Sequence, residues 1–314
     1  MNRCIFLFLA LFLFSGSLFS QVDTVPPVLV CKGNSDFPTY AGCLGAGWVF
    51  DFIDTAFDDT TPAQNLVFGI RKVCLGTGFP LDAMGAPVQN VAFTGSEWGE
   101  QAVEIWAKDI AGNVSSCIAP VFVFDATGSC DPFLTISANT PDAAGINQVA
   151  IDIKGSHCYF DSIDYRVQTN PWGNWGGIGG LAPTGAVYSI TPSKDTNYLN
   201  GVTTYDLALI QKHILGLQLL DSPYKIIAAD ANQDGQVTSY DIVILRKLIL
   251  GYTDKLPHDK SWRFMPSEYV FPDPLNPFQP AFPERIDEPG NPYYYYNFIG
   301  VKIGDVDYSA DPNQ

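Results

Sequence analysis

Residues 230–241 read DANQDGQVTSYD and carry the clearest local signal in the chain. Oxygen-bearing side chains occupy the first, third and fifth positions, a glycine occupies the sixth, and an aspartate closes the stretch at the twelfth. Calcium takes six to eight oxygen ligands at about 2.3–2.6 Å, and this alternation turns such ligands toward one centre. The predicted ligands are the side chains of Asp230, Asn232, Asp234 and Asp241 and the main-chain carbonyl of Gln236. The stretch therefore predicts a calcium loop.

A related pattern lies upstream of this loop. Residues 202–206 read VTTYD where residues 237–241 read VTSYD, and each copy leads into a segment that ends in Ile-Leu-Gly. The two loop–helix units resemble the type I dockerin, a calcium-binding module of two tandem repeats, over about residues 195–252. The resemblance implies a first calcium loop whose matching positions are Asp195, Asn197, Leu199, Gly201 and Asp206. Calcium is the cofactor that the sequence predicts.

The first loop departs from the family pattern at two positions. Leu199 stands at the fifth position, where an acid is expected, and Asn200 stands in place of the glycine. Asparagine tolerates the left-handed backbone conformation that the sixth position requires. For both loops a second interpretation stays open, in which a turn rich in Asp, Asn and Gly caps the following helix without a metal.

The dockerin resemblance also implies a protein partner, which is a cohesin-like or other extracellular protein. In that family, the tenth and eleventh loop positions and a pair about six residues later face the partner. The matching residues are Thr204, Tyr205, Gln211 and Lys212 in the first repeat and Ser239, Tyr240, Arg246 and Lys247 in the second. Because the two sets are nearly the same, two symmetry-related binding modes are expected. The alternative role of the two tyrosines is to cover their own loops.

Composition and charge favour a secreted protein made of several modules. The 314 residues carry a formal net charge of -16, and phosphates would repel such a chain, so a nucleic-acid partner is disfavoured. Residues 1–20 have the pattern of a signal peptide, with Arg3 before an apolar run and small residues up to a cleavage site near Ser20. No later apolar run is long enough to span a membrane. A secreted or cell-surface location is therefore expected.

Six cysteines follow the signal peptide, and an even number in a secreted chain indicates disulfides. Residues 22–128 are predicted to form a β-sandwich. The pieces PPVLVC, from residue 26, and AKDIAGNVSSC, from residue 107, resemble an HYR-type immunoglobulin-like module. In that family the first and last cysteines pair. The resemblance thus implies a Cys31–Cys117 bond and, with it, a Cys43–Cys74 bond.

Residues 129–194 are predicted to form a second, smaller β-domain, with Cys130 and Cys158 as its candidate disulfide. The domain resembles a carboxypeptidase-regulatory-like or prealbumin-like sandwich. Its glycine-rich stretch at residues 170–180 carries Trp172 and Trp175. Two tryptophans on a loop can stack on sugar rings, so carbohydrate binding is one interpretation. The other is a hairpin tip with one tryptophan folded back.

Residues 195–254 hold the calcium repeats, and residues 255–314 follow as an extension rich in proline and tyrosine. The aromatic content of this extension predicts an ordered segment. A strand is expected over residues 298–306, paired with residues 261–265. Within it, Gly304-Asp305-Val306-Asp307 resembles the lead-in to a dockerin loop, although no closing acid follows at the twelfth position. A third candidate cation group consists of Asp305, Asp307 and Asp311.

The expected fold is mostly β with a small α part: an immunoglobulin-like β-sandwich, a second small β-domain and a dockerin-like pair of calcium loop–helix repeats. Because the sequence contains no Gly-x-Ser-x-Gly or His-Glu-x-x-His motif, the chain is expected not to be an enzyme. The favoured function is a secreted, calcium-binding docking or scaffolding module at the cell surface or in the extracellular matrix. Two alternatives stay open. One is a structural adhesin in which calcium only rigidifies the domain junction, and the other is a carbohydrate-binding accessory protein of a polysaccharide-degrading system.

Overall fold

The structure is a computed structural model that describes residues 23–40, 42–94, 97–128, 133–160, 162–178, 186–289 and 295–314. The predicted signal peptide lies outside the described residues. The regular structure is mostly β, as the sequence predicts, and the α-helices of the described residues lie in one segment of the C-terminal half. Within the described ranges, no helix combines the length and the apolar character needed to cross a membrane.

The N-terminal unit, residues 23–128, is built around one apolar core. Its strands are β1 Val28–Cys31, β2 Ser35–Thr39, β3 Leu44–Trp48, β4 Ile53–Phe57, β5 Val67–Lys72, β6 Asn90–Thr94, β7 Gly99–Lys108 and β8 Val114–Asp125. The main sheet has the order β2-β8-β7-β5, and the pairs β1-β4 and β3-β6 contribute to the same core. In β7, Val103, Ile105 and Ala107 are fully buried and alternate with the half-buried Glu104 and Trp106, so one face of the strand lies on the core. Cys31 is bonded to Cys117, as the HYR resemblance implies.

The C-terminal unit contains two four-stranded sheets and three helices. Its elements are β9 Phe133–Asn139, β10 Ala150–Ser156, β11 Ile163–Gln168, β12 Asn174–Ile178, β13 Val187–Ser193, α1 Thr204–Ile214, α2 Pro223–Ala229, α3 Ser239–Ile249, β14 Trp262–Pro266, β15 Ile286–Pro289 and β16 Tyr295–Lys302. One sheet has the order β11-β10-β13-β15, and the other has the order β12-β9-β16-β14. Apolar side chains of both sheets form one core, so the two sheets make a sandwich.

The helices are inserted between strands of this sandwich. β13 precedes them and β14 follows them, and strands from both sides of the insertion pair with each other. β15 pairs antiparallel with β13, while β16 lies between β9 and β14 and runs parallel to β9. The predicted pairing with residues 261–265 is confirmed for residues 298–302, where Phe264 lies opposite Gly300, but the strand ends at Lys302 and not at residue 306. The proline- and tyrosine-rich extension is thus part of the same β-structure as residues 133–193.

A second apolar core holds the helices against the sandwich. Each helix contributes at least one completely buried residue to it, among them Ile210, Ile227 and Leu245. Ile303 and Val306, which follow β16, are buried in the same core. Aromatic side chains from the long segment between β14 and β15 complete it. The helix pair is therefore stabilised by residues that come much later in the chain.

The ends of α1 and α3 follow from local sequence. The side chains of Thr203 and Thr238 cap the two helices, and each accepts a hydrogen bond from the backbone two residues later at 3.2 Å. Gly216 and Gly251 follow the helix ends with φ of 66° and 71°, a conformation that glycine adopts without strain. Both repeats therefore form the loop–helix units that the sequence predicts.

The second predicted disulfide pairing is wrong. Cys74, in the turn after β5, is bonded to Cys158, just after β10. Neither is therefore available to Cys43 or to Cys130, the partners expected from the sequence. Cys43 is also disulfide-bonded, and Cys130 lies outside the described residues. The sequence-based pairing kept each bond within one unit, whereas this bond joins the N-terminal unit to the sandwich.

Candidate functional site

The loop at residues 230–241 is closed by hydrogen bonds onto its first and last carboxylates. Asp230 accepts from the backbone N–H of Gly235 at 3.0 Å, and Asp241 accepts from the N–H of Ala231 at 2.9 Å. Both aspartates are completely buried. The backbone of Gly235 has a φ of 82°, which gives the sharp turn that the sixth position requires. The loop thus places two buried carboxylates at the start of α3.

The donor set of this loop suits a hard cation. Asp230, Asn232, Asp234 and Asp241 supply side-chain oxygens, and Gln236 supplies a carbonyl. Among the described residues, no lysine or arginine forms an ion pair with its carboxylates. Burial, followed by repulsion from Asp241 and Asp234, raises the pKa of Asp230 to about 6, although backbone N–H groups oppose the shift. A divalent cation would relieve both effects, so these residues fit calcium.

One residue that contacts this loop cannot be predicted from the sequence of the loop. His258, in the segment after α3, donates from Nε2 to the carbonyl of Asn232 at 3.1 Å. Its backbone has a φ of 66°, which turns the chain toward the loop. No motif links His258 to the calcium pattern, because the contact depends on how the chain folds back after α3.

The first two residues matched to the first loop are hydrogen-bonded to other parts of the chain, and the third carries no ligand oxygen. Asp195 accepts from the backbone N–H of Ser261 at 3.1 Å, at the start of β14. Asn197 donates to the side chain of Gln314 at 3.2 Å. Leu199 is 48% exposed and offers no side-chain oxygen. The chain before Gly201 is thus engaged with other parts of the sandwich.

Asp206 faces the end of the chain instead. Its carboxylate and those of Asp305 and Asp307 lie within 4.8 Å of one another. The backbone N–H of Val306 donates to Asp206 at 2.8 Å. Burial raises the pKa of Asp206, and it raises the pKa of Asp305 to about 7. Two residues of the third predicted cation group therefore meet the closing acid of the first repeat.

Comparison with known protein families identifies the helical segment. Residues 193–250 match the family model of the type I dockerin domain. This dockerin segment contains all three helices and the complete loop at residues 230–241. Type I dockerins bind calcium and dock onto cohesins in extracellular proteins, so the chain carries a protein–protein docking module. No curated protein matches the chain.

The dockerin segment exposes every predicted partner-facing residue. Tyr205 and Tyr240 each have a relative exposure of 59%. The other members of the two sets are also exposed: Thr204, Gln211, Lys212, Ser239, Arg246 and Lys247. α1 and α3 contact each other, so the duplicated residues lie on the surface of one helix pair. This exposure argues against a purely loop-covering role for the tyrosines.

The two tryptophans proposed for carbohydrate binding have different environments. Trp172 is 75% exposed, whereas Trp175, in β12, packs against the core of the sandwich. A platform for a sugar ring needs accessible aromatic faces. The arrangement agrees with the alternative interpretation, a hairpin with one tryptophan folded back.

Solved structures with detectable similarity are distant. One is SGBP-B of the Bacteroides ovatus mixed-linkage glucan utilization locus in complex with a mixed-linkage heptasaccharide, at 12% identity over 54% of this chain and 44% of that chain, with a TM-score of 0.23. Another is EC1-2 of human protocadherin-24, at 12% identity over 54% of this chain and 86% of that chain, with a TM-score of 0.21. The chain spans less than half the length of the first of these. Similarity at this level carries no argument about function.

Proposed function

We propose that the dockerin segment is a calcium-dependent docking module that attaches this secreted, non-catalytic chain to a cohesin-like partner outside the cell. The observation that carries the proposal is the duplicated, exposed set of residues on α1 and α3. Exposed tyrosines at matching positions are the kind of residue that protein interfaces favour, since they bury a large area at a small entropic cost. The family match at residues 193–250 supports the same function.

Calcium would act on the docking surface through the loop at residues 230–241. Bound there, the ion would neutralise the carboxylates and join the end of α2 to the first turn of α3. Tyr240 directly precedes the closing Asp241, so a fixed loop also fixes the backbone that presents the tyrosine. The chelated and calcium-loaded proteins should therefore differ in affinity for the partner.

The two repeats offer similar but unequal surfaces. The second repeat presents Arg246 where the first presents Gln211, and both present lysine one position later. Arginine binds carboxylates through a planar fork with several donors, whereas glutamine carries no charge. An acidic partner surface should therefore favour the second repeat. Binding through the first repeat remains as a weaker mode.

The test measures binding by calorimetry to a panel of purified type I cohesin domains. Three variants are compared with wild type: Tyr205→Ala with Lys212→Ala, Tyr240→Ala with Arg246→Ala, and the four substitutions together. We expect a partial loss in each double variant and complete loss in the quadruple variant. Because all four side chains are exposed, thermal unfolding should change little. Binding that survives in the quadruple variant would contradict the proposed surface.

A structural role is the second candidate, and one observation favours it. The helix core includes Ile303 and Val306 from beyond β16, so the dockerin segment also connects parts of the sandwich. If the folded, calcium-loaded wild-type chain binds no cohesin, and chelation of calcium lowers its melting temperature, calcium acts as a structural element of the C-terminal unit. That pair of results would replace docking with the adhesin alternative.

A further inference from the structure

We infer that the first calcium site of the dockerin segment is split between two distant parts of the chain. Residues 305–310, at the C-terminal end, supply the first half of the loop, and residues 201–206 supply the second half. A calcium ion bound there would join the end of the chain to the first turn of α1. The inference rests on the proposed calcium binding of the dockerin segment, and it changes which residues form the site.

The first half of the site repeats the hydrogen bonding of the complete loop. In the complete loop, Asp230 accepts from the backbone N–H groups of the fifth and sixth residues at 3.1 and 3.0 Å. Counted from Asp305, the fifth and sixth residues are Ser309 and Ala310. Their N–H groups donate to the two oxygens of Asp305 at 3.0 and 2.9 Å. Asp305 therefore takes the first position.

The closing acid repeats the pattern as well. Asp241 accepts at Oδ1 from the N–H of Ala231, the second residue of its loop, at 2.9 Å. Asp206 accepts at Oδ1 from the N–H of Val306, the second residue counted from Asp305, at 2.8 Å. The Oδ2 atom of each aspartate accepts from the backbone of the threonine three residues earlier, at 2.8 and 2.9 Å. Asp206 thus closes a loop that begins at Asp305.

The two halves meet where a continuous loop would have its sixth and seventh residues. The seventh position falls to Gly201, whose matching residue in the complete loop is Gln236. A Cβ atom added at Gly201 would lie 2.6 Å from the Cα of Ala310, so these backbones are in close contact. The hydroxyl of Ser309 donates to the carbonyl of Gly201 at 3.1 Å. The break in the chain therefore leaves the loop geometry in place.

The split loop supplies the oxygens that the continuous one lacks. Its odd positions carry Asp305, Asp307, Ser309 and the Gly201 carbonyl, and Asp206 closes it, whereas the fifth position of the upstream stretch carries a leucine. Asp206 and Asp305 have relative exposures of 0% and 3%. Three carboxylates within 4.8 Å of one another, two of them buried, repel each other when ionised, and a bound cation would relieve that repulsion.

A buried lysine interacts with two of these carboxylates through its charge but forms no ion pair with them. Lys302 is 3% exposed, and its ammonium donates to the carbonyls of Tyr198 at 2.8 Å and Ile303 at 3.3 Å. In the described part of the chain, no side-chain cation forms an ion pair with Asp206, Asp305 or Asp307. A divalent cation is thus the counter-charge that the geometry accommodates.

The test is a calcium titration by calorimetry on the full mature chain and four variants. Asp307→Ala removes an oxygen of the split site from an exposed position, so the core stays intact. Asp311→Ala is the matched control, because it removes the same charge from the same tail outside the carboxylate group. Asp195→Ala tests the first loop as the sequence predicts it, at residues 195–206. Asp230→Ala removes the second site, at residues 230–241. Melting in chelator checks that each variant folds.

We expect two ions in wild type, in Asp195→Ala and in Asp311→Ala. Asp307→Ala should weaken one site by at least about 10–100-fold and leave the other unchanged. Hydrogen exchange at residues 305–310 should slow on calcium addition in wild type but not in Asp307→Ala.

Loss of a site in Asp195→Ala but not in Asp307→Ala would overturn the split loop. One ion in wild type, lost in Asp230→Ala, would overturn it while the docking proposal stands. No ion in wild type would overturn both.

Discussion

Replacing Ile303 with alanine should loosen α1 and α3, although Ile303 lies in neither helix. Ile303 is completely buried in the core that also contains Ile210 and Leu245. The substitution removes three carbon groups, each worth about 0.8 kcal/mol when buried, so about 2.4 kcal/mol is lost before the cavity is counted. Buried isoleucine-to-alanine changes span about 2–5 kcal/mol in total. The free energy of opening of both helices should decrease by an amount within that range.

The assay is amide hydrogen exchange of α1 and α3, measured by mass spectrometry in chelator so that calcium does not mask the loss. A change of about 1.4 kcal/mol is tenfold, so exchange should become about 30-fold faster or more. Ile303→Val, at about 0.5–1.5 kcal/mol, should give an intermediate rate. Leu217→Ala, at a side chain that is 74% exposed, is the matched control and should change little. If both helices of Ile303→Ala exchange at the wild-type rate, the shared core is refuted.

Three other outcomes are expected. Non-reducing peptide mapping should recover Cys74 linked to Cys158, and a different partner for either would contradict the joined units. Burial lowers the pKa of His213 below 6.5, and its Nδ1 accepts from the N–H of Leu220 at 3.1 Å. Protonation removes that acceptor, so the stability present above pH 6.5 should fall by about 1 kcal/mol as the pH drops below it. Urea unfolding of wild type and His213→Gln at several pH values checks this. Because the buried aspartates titrate in both proteins, the expected result is a stability difference between the two that shrinks as the pH drops below 6.5. Thr238→Ala removes the cap of α3 and should cost about 0.5–2 kcal/mol in thermal unfolding, and an unchanged melting temperature would count against the cap.

The helices could be predicted because their determinants are local. A capping threonine, an apolar stripe and a closing glycine all lie within one short segment of each repeat. Local chemistry fixes the start at Thr203 or Thr238 and the end at Gly216 or Gly251, whatever the rest of the chain does. The pairing of residues 298–302 with β14 could be predicted for a related reason, since each is a short run with the composition of a strand.

The partner of Asp206 could not be predicted in the same way. The lead-in at Gly304 and Asp305 is visible in the sequence, and so is the closing acid of the first repeat. A calcium loop is recognised by spacing, and here the two halves stand in reverse order, with the sandwich strands β14 to β16 between them. Only the fold, which brings β16 back beside the helices, places Val306 against Asp206. The disulfide partner of Cys74 could not be predicted for the same reason, since it depends on how the two units pack together.

The way the dockerin segment is connected has a mechanical consequence. The chain enters it from β13 and leaves it into β14, and these strands belong to different sheets of the sandwich. If a partner docks as proposed, a pull on it is divided between two hydrogen-bonded ladders. On one side, β13 pairs with β10 over seven residues, so the backbone hydrogen bonds of that pair share the force. From there the force can reach the N-terminal unit by two covalent routes, the backbone and the Cys74–Cys158 bond.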